Sequence, residues 1–502
     1  MVEVDETLSG RVAVSNITSQ VWPQSTRTAD STRPIGDTGQ LLTDRFRCPE
    51  TQADFQLQRD LFQESRYFQL GAETLCFGPC SFGRRAESFT NSLYDVLDDI
   101  VVAGSTVHLP FDPAQTIDNL RSERYPPAAS IIKTLPSSRI LRRMYYAVRP
   151  ALGVPVRRHF QKLFFRGWDK IAFPKWPVDT TVETIFEKLL ALSMKSSGIT
   201  RLPFIWFWPD GAPSCTMLTH DVETTSGLNF CPQLMDLNDS FDIKSSFQLI
   251  PEERYSVSQA RLNSIWDRGF EVNVHDSNHD GRLMNNRVEF LRRVERINVY
   301  GRQFRARGFR SAGMYRQTEW YDALDFSYDM SIPNVAHLEP QQGGCCTVFP
   351  FFIGNILELP LTTIQDYSLF NILNDYSIRL WKDQISRISQ KSGLMSFIVH
   401  PDYILKDPAR RIYSDLLRYL CELRSQGKTW IALPAQVASW WRQRSKMSLV
   451  NVGGSWRIEG EGSERAKLAY AVINDEHISY EILSEVAGGR FGGDDPARAN
   501  FF

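Results

Sequence analysis

From about residue 203 the chain alternates short runs rich in β-branched and aromatic residues with longer stretches of helical period. The strand-like runs are CTMLT (215–219), IKSSFQLI (243–250), FEVNV (270–274), the GF that precedes Arg310, ILELPLT (356–362), MSFIV (395–399) and TWIAL (429–433). Helical stretches lie between them at 256–269, 285–308 and 408–427. The last has Pro408 at its first turn and Gly427 as its stop, the asymmetry expected of a helix. Alternating strands and helices predict parallel strands covered by helices. Seven candidate strands in about 240 residues suit a closed or nearly closed barrel, here bounded at 203–446.

Outside that region the pattern changes. Residues 1–55 are rich in Ser, Thr, Asp, Gln and Pro, a composition that buries little and predicts disorder. Between 56 and 130, YFQLGAETLCFG and DIVVAGSTVHLPF read as strands broken by Gly and Pro turns, and Asp112 and Pro113 open a short helix; this is a small α+β unit. Residues 131–202 read as a helical basic connector. Within it, 137–170 carries nine Lys or Arg against a single acid, interleaved with aromatics. Peripheral contact with an anionic membrane surface is one reading of that stretch. A solvated basic face packed on the neighbouring domain is favoured, because Pro150 and Pro155 interrupt any long amphipathic helix. The tail, 447–502, alternates apolar and polar residues around glycines and predicts β-hairpins ending in a frayed, Gly-rich terminus.

Composition narrows the class. With 502 residues, 42% hydrophobic and 12% aromatic, there is ample material for a buried core. Lys plus Arg, 57, nearly cancels Asp plus Glu, 58, which argues against a nucleic-acid partner. There is no basic start followed by an apolar core, and no apolar run long enough to span a bilayer. The eight cysteines show no paired framework and read as reduced thiols, so a cytoplasmic location is expected.

In parallel α/β barrels the working residues sit at the carboxyl ends of strands. TMLTHDVETTSG (216–227) places His220, Asp221 and Glu223 behind an apolar run. FEVNV ends in His275, within HDSNHDG; the segment RGF ends in Arg310; MSFIV ends in His400. Four strand ends thus deliver carboxylates, imidazoles and a guanidinium to one rim. His275 and His279, four apart, can face one metal ion if the turn between them is helical. Asp276 and Asn278 can supply hydrogen bonds that orient the rings. Asp221 and Glu223, two apart, point to the same side in extended geometry. One can complete the ligand set while the other accepts a proton.

The order T-x-D-x-[DE], H-x-x-x-H, an Arg at a strand end and then an apolar strand ending in His resembles the polysaccharide deacetylases of the NodB-homology type, carbohydrate esterase family four. The resemblance covers about residues 203–445. It implies a distorted (β/α)7-type barrel and metal-dependent hydrolysis of an acetyl group on a saccharide, most simply an N-acetyl group, by attack of metal-bound water. Carried over by position, Asp221 matches the base and Glu223, His275 and His279 the ligands of one divalent ion, zinc by preference, with Co, Mn or Ni as alternatives. Arg310 matches the arginine that holds the base, and His400 the acid that protonates the departing amine. Asp329 is the candidate for the carboxylate that tunes this histidine, and a backbone N–H near Gly313 the candidate for holding the oxyanion. The first motif departs from the common T-F-D-D, Asp276 replaces a hydroxyl residue, and Ala312 and Gly313 replace a Pro-Tyr pair. Two other readings are a related barrel hydrolase acting on a non-sugar amide or a glycosidic bond, and a catalytically inactive carbohydrate-binding barrel.

Overall fold

The computed structural model describes residues 38–50, 53–58, 60–82, 93–126, 164–475 and 477–483. Its first element, helix α1 (Thr38–Phe46), falls inside the stretch whose composition predicts disorder. It is ordered because Leu42 and Phe46, one helical turn apart, are buried. The buried Arg444 guanidinium also donates to the Arg45 and Phe46 carbonyls, which a helix terminus leaves without partners. Residues 1–37, 51 and 52 of that stretch lie outside the described residues.

Strands β1 (Asp54–Leu57), β2 (Arg66–Gln69), β3 (Leu75–Gly78), β4 (Val101–Ala103) and β5 (Thr106–Leu109) lead into helix α2 (Pro113–Arg121). They form a three-stranded sheet ordered β1-β5-β4 and an antiparallel β2–β3 pair. Asp112 caps α2 by accepting from the Gln115 N–H at 2.9 Å, with Pro113 in the first turn. The basic stretch 137–170, with its membrane-surface reading, lies outside the described residues up to residue 163. Helix α3 (Thr181–Ser196) follows and buries Ile185, Phe186, Leu189 and Leu190.

After β6 (Arg201–Ile205) the alternation begins: β7 (Cys215–Val222), α4 (Thr225–Asp239), β8 (Ser246–Leu249), α5 (Gln259–Trp266), β9 (Glu271–His275), α6 (Arg287–Gln303) and β10 (Gly308–Arg310). It continues with β11 (Tyr328–Asp329), β12 (Phe351–Ile353), β13 (Ile356–Glu358), α7 (Arg379–Gln390), β14 (Leu394–Ile398), α8 (Ala409–Ser425), β15 (Trp430–Ile431) and α9 (Pro434–Arg444). These strands form a curled sheet ordered β12-β13-β11-β10-β9-β8-β7-β14, parallel except for the antiparallel β12–β13 pair, with β15 pairing the start of β7. Every strand-like run of the sequence contributes to it. β11, only two residues long, carries too little pattern to be read in advance. Between β13 and β14 side chains replace a backbone ladder: Thr362 Oγ1 donates to the Leu394 carbonyl at 2.6 Å and Thr363 Oγ1 to the Ser396 carbonyl at 2.7 Å.

The tail forms two antiparallel pairs, β16 (Ser448–Val452) with β17 (Ser455–Glu459) and β18 (Leu468–Asn474) with β19 (His477–Ile482). β18 also pairs with β6, giving a sheet ordered β19-β18-β6. The chain therefore returns to the strand that precedes the curled sheet. β6 lies at the edge of this second sheet, where Pro203 and its missing N–H are tolerated. All eight cysteines are free. Among the described residues no helix is long and apolar enough to cross a membrane.

Candidate active site

The period of a strand decides which residues of the first motif reach the site. Along β7, Asp221 faces one side with Thr219, while His220 faces the other. His220 Nδ1 lies 2.7 Å from the Val399 carbonyl, and its Nε2 accepts from Asn238 of α4 at 3.2 Å. Burial pushes this ring down to about 4, so it is a neutral core histidine.

Glu223, one residue past β7, meets His275 at the end of β9 and His279 in the loop that follows. The three offer ligand atoms that all lie within 4.8 Å of one another. His279 Nε2 lies 3.0 Å from Glu223 Oε1, an ion-pair distance without the alignment of a hydrogen bond. His275 Nδ1 is 3.1 Å from the Arg310 carbonyl. Because a carbonyl only accepts, that contact places the proton on Nδ1 and leaves the lone pair on Nε2. Burial pushes His275 down to about 4 against the partial opposition of Asp221, which keeps the ring neutral, the form in which an imidazole can bind a metal. Both Nε2 atoms are buried without a hydrogen-bond partner. Two orphaned imidazole nitrogens beside a carboxylate are what the open valences of a divalent-ion site look like before the ion is counted, so the donor set fits.

In the loop that carries His279, Asp276 and Asn278 bond to the backbone and to Arg293 rather than to the imidazole rings. Asp276 and His279 take left-handed backbone angles, φ +58° and +57°. Asp276 Oδ1 accepts from the Ser277 N–H at 2.6 Å, and Asn278 Oδ1 accepts from the Asp280 N–H at 3.2 Å and from Arg293 Nη1. Both therefore brace the turn, whereas the ring of His275 is oriented by the Arg310 carbonyl. Arg293 locks the turn from α6 through a two-pronged bond to Asp280, at 2.8 and 2.9 Å.

Asp221 stands beside the cluster of Glu223, His275 and His279 with a different partner. Arg310, fully buried at the end of β10, donates from Nη1 to Asp221 Oδ1 at 2.6 Å and to Thr219 Oγ1 at 2.8 Å. Its Nε donates to the Met330 carbonyl at 3.0 Å. Asp221 Oδ2 faces His275 Nε2 at 3.8 Å. Burial raises the Asp221 carboxyl, but Arg310, His275 and His400 outweigh it and hold the group below the usual carboxylate range. Directly after Arg310 comes a short turn, Ala312–Met314, with Gly313 at φ +60°.

On the opposite flank, His400 lies just past β14 with Nε2 at 3.8 Å from Glu223 Oε1. Its tuning carboxylate is Asp366, where Asp329 was expected. Asp366 Oδ1 lies 2.6 Å from His400 Nδ1 and also accepts from the Tyr367 N–H at 2.8 Å; Oδ2 accepts from the His400 N–H at 2.8 Å. Burial raises the Asp366 carboxyl above the usual carboxylate range, and His400 with the three donors offsets only part of that; the imidazole is raised further, so the shared proton sits on His400. Burial works against the charged ring, yet Asp366 and then Glu223 and Asp221 push His400 up to about 10. Asp329 instead accepts from Ser331 Oγ at 2.8 Å and lies against Glu358 beneath the site.

Asp402, two residues past His400, is a further member that the sequence did not single out. Its carboxylate accepts from the Glu223 N–H at 3.1 Å and from the Thr224 hydroxyl, so the loop after His400 pins the loop that carries Glu223. Gly227 makes room for it: a Cβ there would lie 2.4 Å from Asp402 Oδ2. The H-P-D spacing was a usable signal for Asp402, since Asp past a strand end commonly accepts from neighbouring backbone N–H groups. Asp366 lies in an irregular segment and offered none.

No family model matches the chain, and no curated protein does. Among solved structures it is similar to a protein assigned as a polysaccharide deacetylase from Mycobacterium smegmatis, at 17% identity and a TM-score of 0.39, over 47% of this chain and 93% of that one. It is similar to the Xyl-CE4 domain of a multidomain xylanase from the hindgut metagenome of Trinervitermes trinervoides, at 12% identity and a TM-score of 0.29, over 45% and 90% of the two chains. It is also similar to a CE4 family pseudoenzyme from Bacillus anthracis, at 15% identity and a TM-score of 0.28, over 46% and 66%.

Proposed function

We propose that the curled sheet is a distorted (β/α) barrel carrying a metal-dependent hydrolase site that removes an acetyl group, most simply from nitrogen, on a saccharide. One observation carries this reading: a Glu-His-His ligand cluster lies between an anion held by an arginine and a cation held by a carboxylate. Glu223, His275 and His279 would hold one divalent ion, zinc by the chemistry of two imidazoles and a carboxylate, and that ion would polarise an acyl carbonyl and acidify a water.

The chain's own groups divide the proton work. Asp221 Oδ2, the oxygen that Arg310 leaves free, takes the proton of the attacking water. Arg310 keeps Asp221 ionised and pointed at the ligands. The turn at Gly313 supplies backbone N–H groups to the developing oxyanion. His400 Nε2, protonated through Asp366, gives its proton to the departing nitrogen. Half-buried Tyr403 packs against the His400 ring at 4.9 Å and Tyr367 against Tyr403 at 5.2 Å, an aromatic wall suited to a sugar face.

The decisive experiment measures acetate released from a panel of N- and O-acetylated saccharides, together with metal content. The expected result is about one divalent ion per chain and release that falls by about 10² to 10⁴ in Asp221→Asn while the metal stays bound. Loss of the metal in that variant would mean that Asp221 is the ligand and Glu223 the base. Metal-loaded protein that releases no acetate from any member of the panel would sink the deacetylase reading.

A further inference from the structure

Arg316 lies six residues past Arg310 on the loop that carries Gly313, and it is fully buried. Its Nη1 donates to the carbonyls of Met314 at 2.8 Å and Gln341 at 3.3 Å. Its Nε and Nη2 take both carboxylate oxygens of Glu123, 193 residues earlier in the chain, just past α2. Such a two-pronged pair fixes direction as well as distance. Two residues further on, the Tyr125 hydroxyl donates to the Gly344 carbonyl.

Gln341 and Gly344 belong to the segment 333–347, which runs between β11 and β12. Its outer side is tied to the chain ahead of α3: Asn334 Nδ2 donates to the Asp179 carbonyl at 2.7 Å and Asn334 Oδ1 accepts from the Asp179 N–H at 2.9 Å. Its inner side touches the site twice. Gln341 exchanges hydrogen bonds with the Arg316 backbone at 3.1 and 3.2 Å. Glu339 accepts from Gln365 Nε2 at 2.7 and 2.6 Å, and Gln365 immediately precedes the carboxylate that holds His400. The packing leaves no slack. At Gly343, φ +126°, a Cβ would lie 2.8 Å from Glu123 Oε1, and at Gly344, φ +145°, one would lie 2.2 Å from the Asn334 carbonyl oxygen.

We propose that Glu123 and Tyr125, from the N-terminal α+β region, are positioning residues of the active site, which through Arg316 and the segment 333–347 set the 311–316 loop and the backbone that presents Asp366. The N-terminal region is on this account part of the catalytic architecture. The physical reason is the buried guanidinium. With Glu123 in place Arg316 is neutralised where it lies; without that charge it must move toward water, and the loop that follows Arg310 moves with it. A shift of the order of an ångström in such a loop costs rate out of proportion to its size.

The kinetic part of the inference rests on the hydrolase reading; the structural part does not, and the test separates them. In Glu123→Gln, amide hydrogen exchange at 312–316 and 339–344 should quicken by about 10-fold or more while that at 276–281 stays unchanged. On an aryl acetate or an acetylated saccharide, kcat should fall by about 10- to 100-fold with KM and metal content unchanged. Tyr125→Phe should move the same two segments in the same direction by less, and it decides the matter if Glu123→Gln does not fold. Exchange at 312–316 equal to wild type in the folded variants, or quickened uniformly along the chain, overturns the positioning role. So does an unchanged kcat in an active protein. If wild-type protein releases no acetate, the hydrolase reading fails and the exchange comparison still decides this one.

Discussion

His275 at the end of β9 and His400 just past β14 are both buried imidazoles on one rim, yet they stand in opposite protonation states. Burial, helped by His279 and opposed by Asp221, takes His275 down to about 4, and a carbonyl on Nδ1 leaves its other nitrogen a bare lone pair. His400 is as deeply buried, but Asp366 on its Nδ1 carries it up to about 10. The difference is what sits behind the ring. Here a neutral acceptor behind Nδ1 leaves a neutral ring, and an anion behind Nδ1 leaves a protonated one.

The comparison breaks most severely if the first ring is removed. His275→Ala leaves two of three ligand groups, so metal content measured on the purified variant should fall to background and acetyl hydrolysis with it. Full retention of the metal would remove His275 from the ligand set. A smaller effect sharpens the other half. Asp366→Asn keeps the shape behind His400 and takes away the anion, so the pKa of His400 falls. Because the donor must be protonated, the basic limb of the pH–rate profile should move to lower pH, with about a 10- to 100-fold loss of rate at neutral pH and metal content intact. A basic limb that stays in place would assign His400 a structural role. The smallest effect is expected at His220, the buried histidine whose partners are a carbonyl, an amide and the Tyr413 hydroxyl on the far side of β7. His220→Phe should cost about 1–3 kcal/mol in unfolding free energy, read from a denaturant titration, and leave metal content unchanged. Loss of the metal in that variant would contradict the separation of the two faces of β7.

Much of the site could be read in advance because it depends on local rules. The two-residue period of a strand puts Asp221 on the site's face of β7 and His220 behind it, and Glu223 continues the same side. The ends of apolar runs mark the rim, which is why His275, Arg310 and His400 were found from pattern alone. Helix α8 starts beside Pro408 and stops at Gly427, φ +67°, as local backbone preference dictates. Helix α1 was misread for the opposite reason. Its flanking composition is polar, and its order comes from burying Leu42 and Phe46 under a distant Arg444.

What the sequence determined by itself is thus the set of chemical groups and the face each presents, since period, capping and strand ends act over a few residues. Which groups become partners was decided only by the tertiary structure. Asp366 rather than Asp329 stands behind His400, and Glu123 reaches Arg316 across 193 residues. Such pairings join irregular segments that carry no period, and their energy appears only once burial has stripped water from both charges.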